Sequence, residues 1–387
     1  MSQPSTIAGI LREPTRTIES EESSALIVGA GVFVLAALLG LAIFWGRALP
    51  IAGPGSLGAA VAIGSAVVAA LAFAAGRMVL RRRFGEREVP VEPVPAPAGP
   101  DRAPGSLDEP GPRLHWFDVL ALALAHAVIA LLGWTGLADV LEQSFLGAEV
   151  YLIPAVALFG VALALTAYVS FLSSVRMTPM LLSLVLAVFL VVGVITAMLS
   201  STDPLWWEKN LSALGMTDDV SALAFNLTLI IAGVMVTTIA HYATAFLPAD
   251  SVTERRGRNL VRLGLIVIGI LLACVGIFPV DEYLGAHNLA ATGMAIVYVV
   301  MVLSLPALLP TMPKVFIVLG YVYVGVIVVL AAFFITGYYN LTAVELVAAV
   351  LIFSWVIVFL RNTGAVEQGD GDARDDGRIV TKAQAVP

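Results

Sequence analysis

The sequence predicts an all-α integral membrane protein, a polytopic helical bundle with about ten transmembrane helices. Of the 387 residues, 59% are hydrophobic and only 13% are charged, and the mean hydropathy is +0.95. Soluble domains contain roughly 45–50% apolar and about 25% charged residues, so this composition indicates a membrane protein. The single cysteine, Cys274, excludes an intramolecular disulfide.

Ten apolar segments are long enough to cross the hydrocarbon core of a bilayer, which is about 30 Å thick and takes ~20 helical residues. Backbone polar groups find no water in lipid, so we expect these segments to be helices. The predicted crossings are residues 24–46, 56–80, 115–137, 148–172, 179–200, 220–246, 261–279, 288–309, 315–337 and 342–360.

Three segments are predicted to lie outside the membrane. The polar N-terminal residues 1–22 and the acidic tail 362–387 are predicted to be disordered on the cytoplasmic side. Residues 81–113 open with three arginines and continue with dense proline, which is typical of an extended cytoplasmic linker. The transmembrane part is thereby divided into an N-terminal hairpin, a pair of helices and a six-helix domain, at residues 23–80, 114–178 and 179–361.

Lysine and arginine predict the side of the membrane on which each loop lies, because they are retained in the cytoplasm. With both termini inside, only Arg47 and Lys209 of the 21 Lys and Arg residues lie outside. The predicted outer loops carry mainly acidic residues: Asp139, Glu142, Glu149, Asp203, Glu208, Asp218, Asp219, Asp281 and Glu282. We therefore predict a multi-pass cell-membrane protein with cytoplasmic termini and an acidic outer face.

Familiar catalytic signatures are missing from the sequence. It has no Walker-type phosphate loop, no His-Glu-x-x-His pair and no Gly-x-Ser-x-Gly elbow, so an ATPase, a zincin and an α/β-hydrolase are not favoured. Gly29 and Gly31 could open a dinucleotide fingerprint, but Val34 stands at the third glycine position inside a membrane helix. No cofactor, metal site or nucleic-acid partner is predicted.

The crossing at 220–246 carries Asn226, Gly233, Thr237 and His241 at spacings that place them on one helix face. Polar residues within a membrane are costly and often functional, so this face is predicted to point into the bundle or a wet cavity. Asn226, near the outer surface, fits either an interhelical hydrogen bond or a ligand contact. His241 is interpreted as interfacial.

Two further polar residues lie at the predicted outer side. His287 opens the eighth crossing, where an imidazole can act as a base, proton sensor or polar ligand. Hydrogen bonding to the adjoining loop explains it equally well. Glu345 adds a carboxylate at similar depth, while Trp206 and Trp207 fit either an interfacial aromatic belt or a site.

Several motifs resemble a bacterial and archaeal membrane family, the one named domain of unknown function 998 and grouped with the Frag/DRAM/Sfk-like proteins. They are Asn210-Leu211-Ser212-Ala213-Leu214-Gly215, Phe225-Asn226 with Ala232-Gly233, Gly276-Ile277-Phe278-Pro279, and His287 with Ala290-Ala291. The resemblance covers roughly residues 179–360. Family members commonly carry an acidic residue where this chain has Ala213.

The resemblance implies a connection to lipids, since eukaryotic relatives are linked to lipid remodelling, phosphoinositide organisation and lysosomal membranes. The leading interpretation is a non-enzymatic protein whose outer-half pocket binds a lipid or amphiphile, as an accessory to envelope assembly or lipid homeostasis. A lipid-modifying enzyme with His287 as base and a small-solute or proton-coupled transporter remain alternatives. The predicted partners are membrane lipids or an amphiphile, alongside membrane proteins. The candidate ligand-binding residues are Trp207, Asn210, Ser212, Asn226, His287 and Glu345.

Overall fold

A computed structural model describes residues 18–86, 116–216, 219–245, 247 and 251–383. Within these residues there are ten helices, and each contains a stretch long and apolar enough to cross a membrane. The predicted all-α, polytopic fold is therefore confirmed. The helices are α1 (Ile18–Phe44), α2 (Leu57–Glu86), α3 (Trp116–Ser144), α4 (Leu152–Val175), α5 (Pro179–Leu199), α6 (Val220–Ala245), α7 (Val252–Ile277), α8 (Leu284–Leu308), α9 (Lys314–Ile335) and α10 (Leu341–Ala383).

Short elements lie in three of the connections between the helices. Two-residue strands, β1 (Leu49–Pro50) and β2 (Glu149–Val150), pair antiparallel and join the connection after α1 to the one before α4. Two 3-10 helices, Trp206–Glu208 and Leu211–Gly215, lie in the connection between α5 and α6. We call residues 206–215 the cap loop. The end of the bundle that contains it is the acidic end, and the opposite end is the basic end.

The first four helices form one packed group. Helix α1 packs mainly against α4, and α2 packs against both α3 and α4. Glycines permit the close approach, because a Cβ at Gly160 of α4 would lie 3.0 Å from the ring of Phe33. The helices on either side of the predicted linker, whose residues 87–113 lie outside the described part of the chain, thus pack against one another.

Helix α3 connects this group to the six-helix unit, α5–α10. It packs against α5 and α6, and the Thr196 hydroxyl of α5 donates to the carbonyl of Leu132 at 3.0 Å. Within the six-helix unit, α6 and α7 make the most extensive helix pair. Four buried aromatic residues pack α8, α9 and α10 together: Tyr298, Phe316, Trp355 and Phe359.

Two helix boundaries differ from the sequence expectation. Helix α7 begins at Val252 and not near 261, because Ser251 and Glu254 form a capping box that stabilises two basic turns before the apolar stretch. Helix α10 continues to Ala383, beyond the end of its predicted crossing at residue 360. Hydropathy detects hydrocarbon-compatible residues, so it does not register helical turns that extend beyond the bilayer.

Candidate functional site

The second half of the cap loop, residues 211–215, is buried against the acidic end of the six-helix unit. The backbone of the cap loop is held by side chains from α10 and the residue before it. The carboxylate of Glu345 accepts from the backbone N–H of Leu211 at 2.7 Å. The side-chain amide of Asn340 donates to the carbonyl of Trp207 at 3.0 Å. Both bonds satisfy backbone groups of a segment that lacks regular α-helical pairing.

Helix α6 binds the other end of the cap loop. The Asn226 amide donates to the carbonyl of Gly215 at 3.0 Å, and the Ser221 hydroxyl lies 3.2 Å from the carbonyl of Leu214. A Cβ at Gly215 would collide with the Asn226 side chain, and one at Gly276 of α7 would lie 2.6 Å from the Asn226 carbonyl. Asn226 therefore occupies a narrow space that glycine keeps open on both sides.

Helix α8 contributes a side chain that binds two other segments at once. The His287 Nδ1 lies 2.8 Å from the carbonyl of Phe278, at the end of α7, and its Nε2 lies 2.9 Å from the Ser212 hydroxyl. A carbonyl only accepts, so Nδ1 carries the proton and Nε2 accepts from Ser212. Only 8% of Ser212 and 4% of His287 are exposed. The imidazole thus links α7, α8 and the cap loop.

One buried side-chain polar atom of the cap loop has no hydrogen-bond partner among the described residues. The side-chain oxygen of Asn210 is buried and accepts no hydrogen bond. Its backbone carbonyl, in contrast, accepts from the N–H of Ala213 at 3.2 Å. A buried acceptor left unsatisfied costs about 1–3 kcal/mol, so this position favours a bound group that carries a donor.

An exposed ion pair joins two residues of the connection between α5 and α6. The Lys209 ammonium lies 2.8 Å from the Asp203 carboxylate, and this hydrogen bond lowers the pKa of Asp203. Because the pKa of Asp203 is lowered in the folded state, the ion pair stabilises the protein at neutral pH. This contribution is lost as the pH falls through the lowered pKa of Asp203. The pair is exposed to solvent, so salt weakens it.

The structure brings most of the candidate residues to the cap loop. Ser212 and Asn210 belong to it, while Asn226, His287 and Glu345 bond to it from three helices. The Trp207 indole differs, since 49% of the residue is exposed at the surface.

The sequence interpretation missed Asn340 and Ser221. Asn340 carried a recognisable signal, because it directly precedes α10 and its side-chain oxygen accepts from the N–H of Ala343, as an N-cap does. Ser221 lies in the first turn of α6, and its hydroxyl also donates to the carbonyl of Ala197 at 2.8 Å. No local pattern distinguishes that serine from an ordinary helix-start residue.

The polar face of α6 does not form one continuous surface in the bundle. Gly233 and Thr237 lie at the contact with α7, where a Cβ on Gly233 would collide with the carbonyl of Gly269. His241 is exposed near the end of α6, as expected of an interfacial residue, and does not share the α6–α7 contact of Gly233 and Thr237. Its fifteen-residue separation from Asn226 corresponds to about 22 Å along the helix. Asn226 and His241 therefore lie near opposite ends of α6, and the contacts of the described residues do not favour a transporter.

A lateral groove of about 330 Å³ lies between α3 and α4, outside the six-helix unit. His126 lies in its wall, and its two ring nitrogens bond to the Leu122 carbonyl and the Ser173 hydroxyl, both at 2.8 Å. The Trp134 indole donates to Thr166 at 3.1 Å. His126, Trp134 and Thr166 therefore bond within the protein, as residues that pack α3 against α4 do.

Ten membrane-length helices define the class of this chain, a multi-pass membrane protein. Residues 184–362 match the model of a family described as "Protein of unknown function (DUF998)". The matched part contains the cap loop and nearly all of the six-helix unit, and it supports the DUF998 family that the motifs had indicated. Comparisons with curated proteins and with solved structures gave no match.

Proposed function

We propose that the protein binds a membrane amphiphile at the acidic end of the six-helix unit, with the headgroup against the cap loop. The observation that supports this most directly is the buried, unpartnered side-chain oxygen of Asn210. The side chains of Asn226, Asn340 and Glu345 bond to the backbone of the cap loop. These bonds order the loop and hold Asn210 in a fixed position. Preorganisation of this kind reduces the entropic cost of binding.

The polar atoms of the site determine which class of headgroup can bind there. The Asn210 oxygen and the Glu345 carboxylate are acceptors, and the surrounding loops are acidic, so we infer a headgroup that carries hydroxyl or amine donors. The tail lies along the apolar surface beside the site, where Leu205 and Trp207 are about half exposed. A phosphate headgroup does not fit, because it offers acceptors and negative charge.

The wider role that we propose is an accessory function in envelope assembly or lipid homeostasis of a bacterial cell. It follows from the likeness to the Frag/DRAM/Sfk-like proteins and their association with lipids, which is an analogy at family level. The basic loops support a cell-membrane location with both termini in the cytoplasm, so the acidic end and its site face outward. On this topology a cysteine replacing Asp281 is labelled by an impermeant maleimide in intact cells, whereas one replacing Ser251 is not.

Replacing Asn210 with alanine is expected to reduce retention of the copurifying amphiphile by roughly two- to tenfold, the loss of one neutral hydrogen bond. The measurement is quantitative lipid mass spectrometry on protein prepared in parallel in detergent and in native-membrane discs. Asn288→Ala is the matched control, because Asn288 is an exposed asparagine at the same end of the bundle. Equal retention by wild type and both variants would reject Asn210 as a ligand contact.

A lipid-modifying enzyme is the second candidate, and the Ser212–His287 contact favours it. A hydroxyl, an imidazole and a third group that orients the imidazole form the arrangement of an activated nucleophile. In such a reaction Ser212 attacks an ester carbonyl, His287 takes the hydroxyl proton, and the leaving alcohol then receives it. Binding leads because both side chains are almost fully buried. Labelling of Ser212 by a fluorophosphonate that requires His287 would reverse this order.

A further inference from the structure

A pair of arginines lies at the basic end, far from the cap loop. Arg258 and Arg262 are four residues apart on one face of α7, and their like charges interact. Arg262 is ten residues from the start of α7, or about 15 Å along the helix axis, and so lies at the edge of the hydrocarbon region. Charged residues at such depth are rare and take a specific partner.

The protein does not neutralise this pair within the described residues. The Nε of Arg262 donates to the buried Thr244 hydroxyl of α6 at 2.7 Å, which fixes the position of its guanidinium. The Nε of Arg258 is buried and has no hydrogen-bond partner. Neither guanidinium forms an ion pair with a described carboxylate, and Glu254, one turn earlier, is engaged in the helix cap. Among the described residues, these two adjacent positive charges thus have no carboxylate as counter-charge.

We propose that Arg258 and Arg262 bind the phosphate of an anionic phospholipid in the leaflet at the basic end, beside the contact between α6 and α7. The planar guanidinium fork matches the oxygens of a phosphate. The depth of Arg262 favours a lipid phosphate, which lies at the membrane boundary with its tails in the hydrocarbon, over a soluble anion. Basic pockets between helices are the form that anionic-lipid sites take in membrane proteins.

This site is independent of the amphiphile site at the opposite end, and its ligand has the opposite chemistry. A phosphate supplies the acceptors and negative charge that two guanidiniums need, whereas the cap loop offers acceptors of its own. Loss of one site therefore leaves the other intact, which allows the two proposals to be tested separately on the same purified protein.

The test is native mass spectrometry of the full-length protein with phosphatidylglycerol, phosphatidylcholine or inorganic phosphate added. We expect selective retention of phosphatidylglycerol and an affinity about tenfold lower in Arg258→Gln, as loss of a charge-assisted contact predicts. Arg258→Gln removes a repulsive neighbour and no hydrogen bond within the protein, so the variant is expected to fold. Arg256→Gln is the matched control, because it removes the same charge from an exposed position on the same helix.

Three results would overturn the proposal. One is equal retention of phosphatidylglycerol and phosphatidylcholine by the wild type. Another is an equal loss in Arg256→Gln and Arg258→Gln, which would indicate general surface charge. The third is displacement of the lipid by millimolar inorganic phosphate, which would indicate a site for a soluble anion.

Discussion

Replacing Gly233 with valine is expected to push α6 away from α7 and to lower the stability of the protein strongly. A Cβ at this position would collide with the carbonyl of Gly269 and would lie 2.7 Å from the backbone nitrogen of Ala273. Backbone atoms cannot rotate away as a side chain can, so the helices must move apart. Overpacking of a tight interface costs roughly 1–3 kcal/mol, and occasionally more.

The measurement is the midpoint of thermal unfolding of the protein purified in detergent. Unfolding is monitored by the loss of the monodisperse peak. Gly325→Val is the matched control, because a Cβ at Gly325, within the span of α9, would meet no atom within 4 Å. We expect Gly233→Val to lower the midpoint markedly and Gly325→Val to leave it nearly unchanged. Equal midpoints for the two variants would show that α6 and α7 are not packed closely enough at Gly233 for an added side chain to collide.

Replacing His287 with alanine is expected to loosen the cap loop while the ten-helix bundle stays folded. The change leaves the Ser212 hydroxyl and the Phe278 carbonyl without the partner that each has in the folded protein. Two neutral hydrogen bonds contribute about 1–3 kcal/mol together. Amide hydrogen exchange in peptides spanning 206–216 should therefore be roughly tenfold faster or more, since each 1.4 kcal/mol corresponds to a factor of about ten.

His126→Ala is the control for this change, because His126 also bonds through both ring nitrogens but lies in α3. It should leave exchange in the cap loop as it is in the wild type. In a double-mutant cycle, Ser212→Ala and His287→Ala should be non-additive by about 0.5–1.5 kcal/mol, the value of one neutral hydrogen bond. Strict additivity, or unchanged exchange in His287→Ala, would mean that the imidazole does not hold the loop.

The transmembrane architecture was predictable because hydrocarbon imposes a simple rule: about twenty apolar residues in a helix for each crossing. The start of α7 was misplaced because its basic turns depend on the Ser251–Glu254 capping box and not on hydropathy. Which helices pack together was not predictable in the same way. The contact of α1 with α4 depends on where small residues permit close approach, and hydropathy carries no information about that.

The candidate site was predictable in its residues but not in its bonds. Polar side chains near the acidic end stood out because such residues are costly there. Their partners are mostly backbone carbonyls and N–H groups, such as the carbonyl of Phe278 bound by His287 and the N–H of Leu211 bound by Glu345. The latter pair is separated by 134 positions in the chain, and a backbone group leaves no mark in the sequence that would identify its partner.

Site-specific photo-crosslinking tests most directly whether a particular amphiphile binds beside the cap loop. Two variants are compared, each with a photoreactive phenylalanine analogue at one position. It replaces Trp207, which is 49% exposed, in the first variant, and Phe333 of α9, which is 41% exposed, in the second. After irradiation in native membranes, mass spectrometry would identify the attached lipids. We predict one amphiphile class, with hydroxyl or amine donors in its headgroup, strongly enriched and chemically unaltered at position 207, whereas position 333 captures the bulk lipids in their membrane proportions. The same lipid profile at both positions would show that no particular amphiphile binds beside the cap loop.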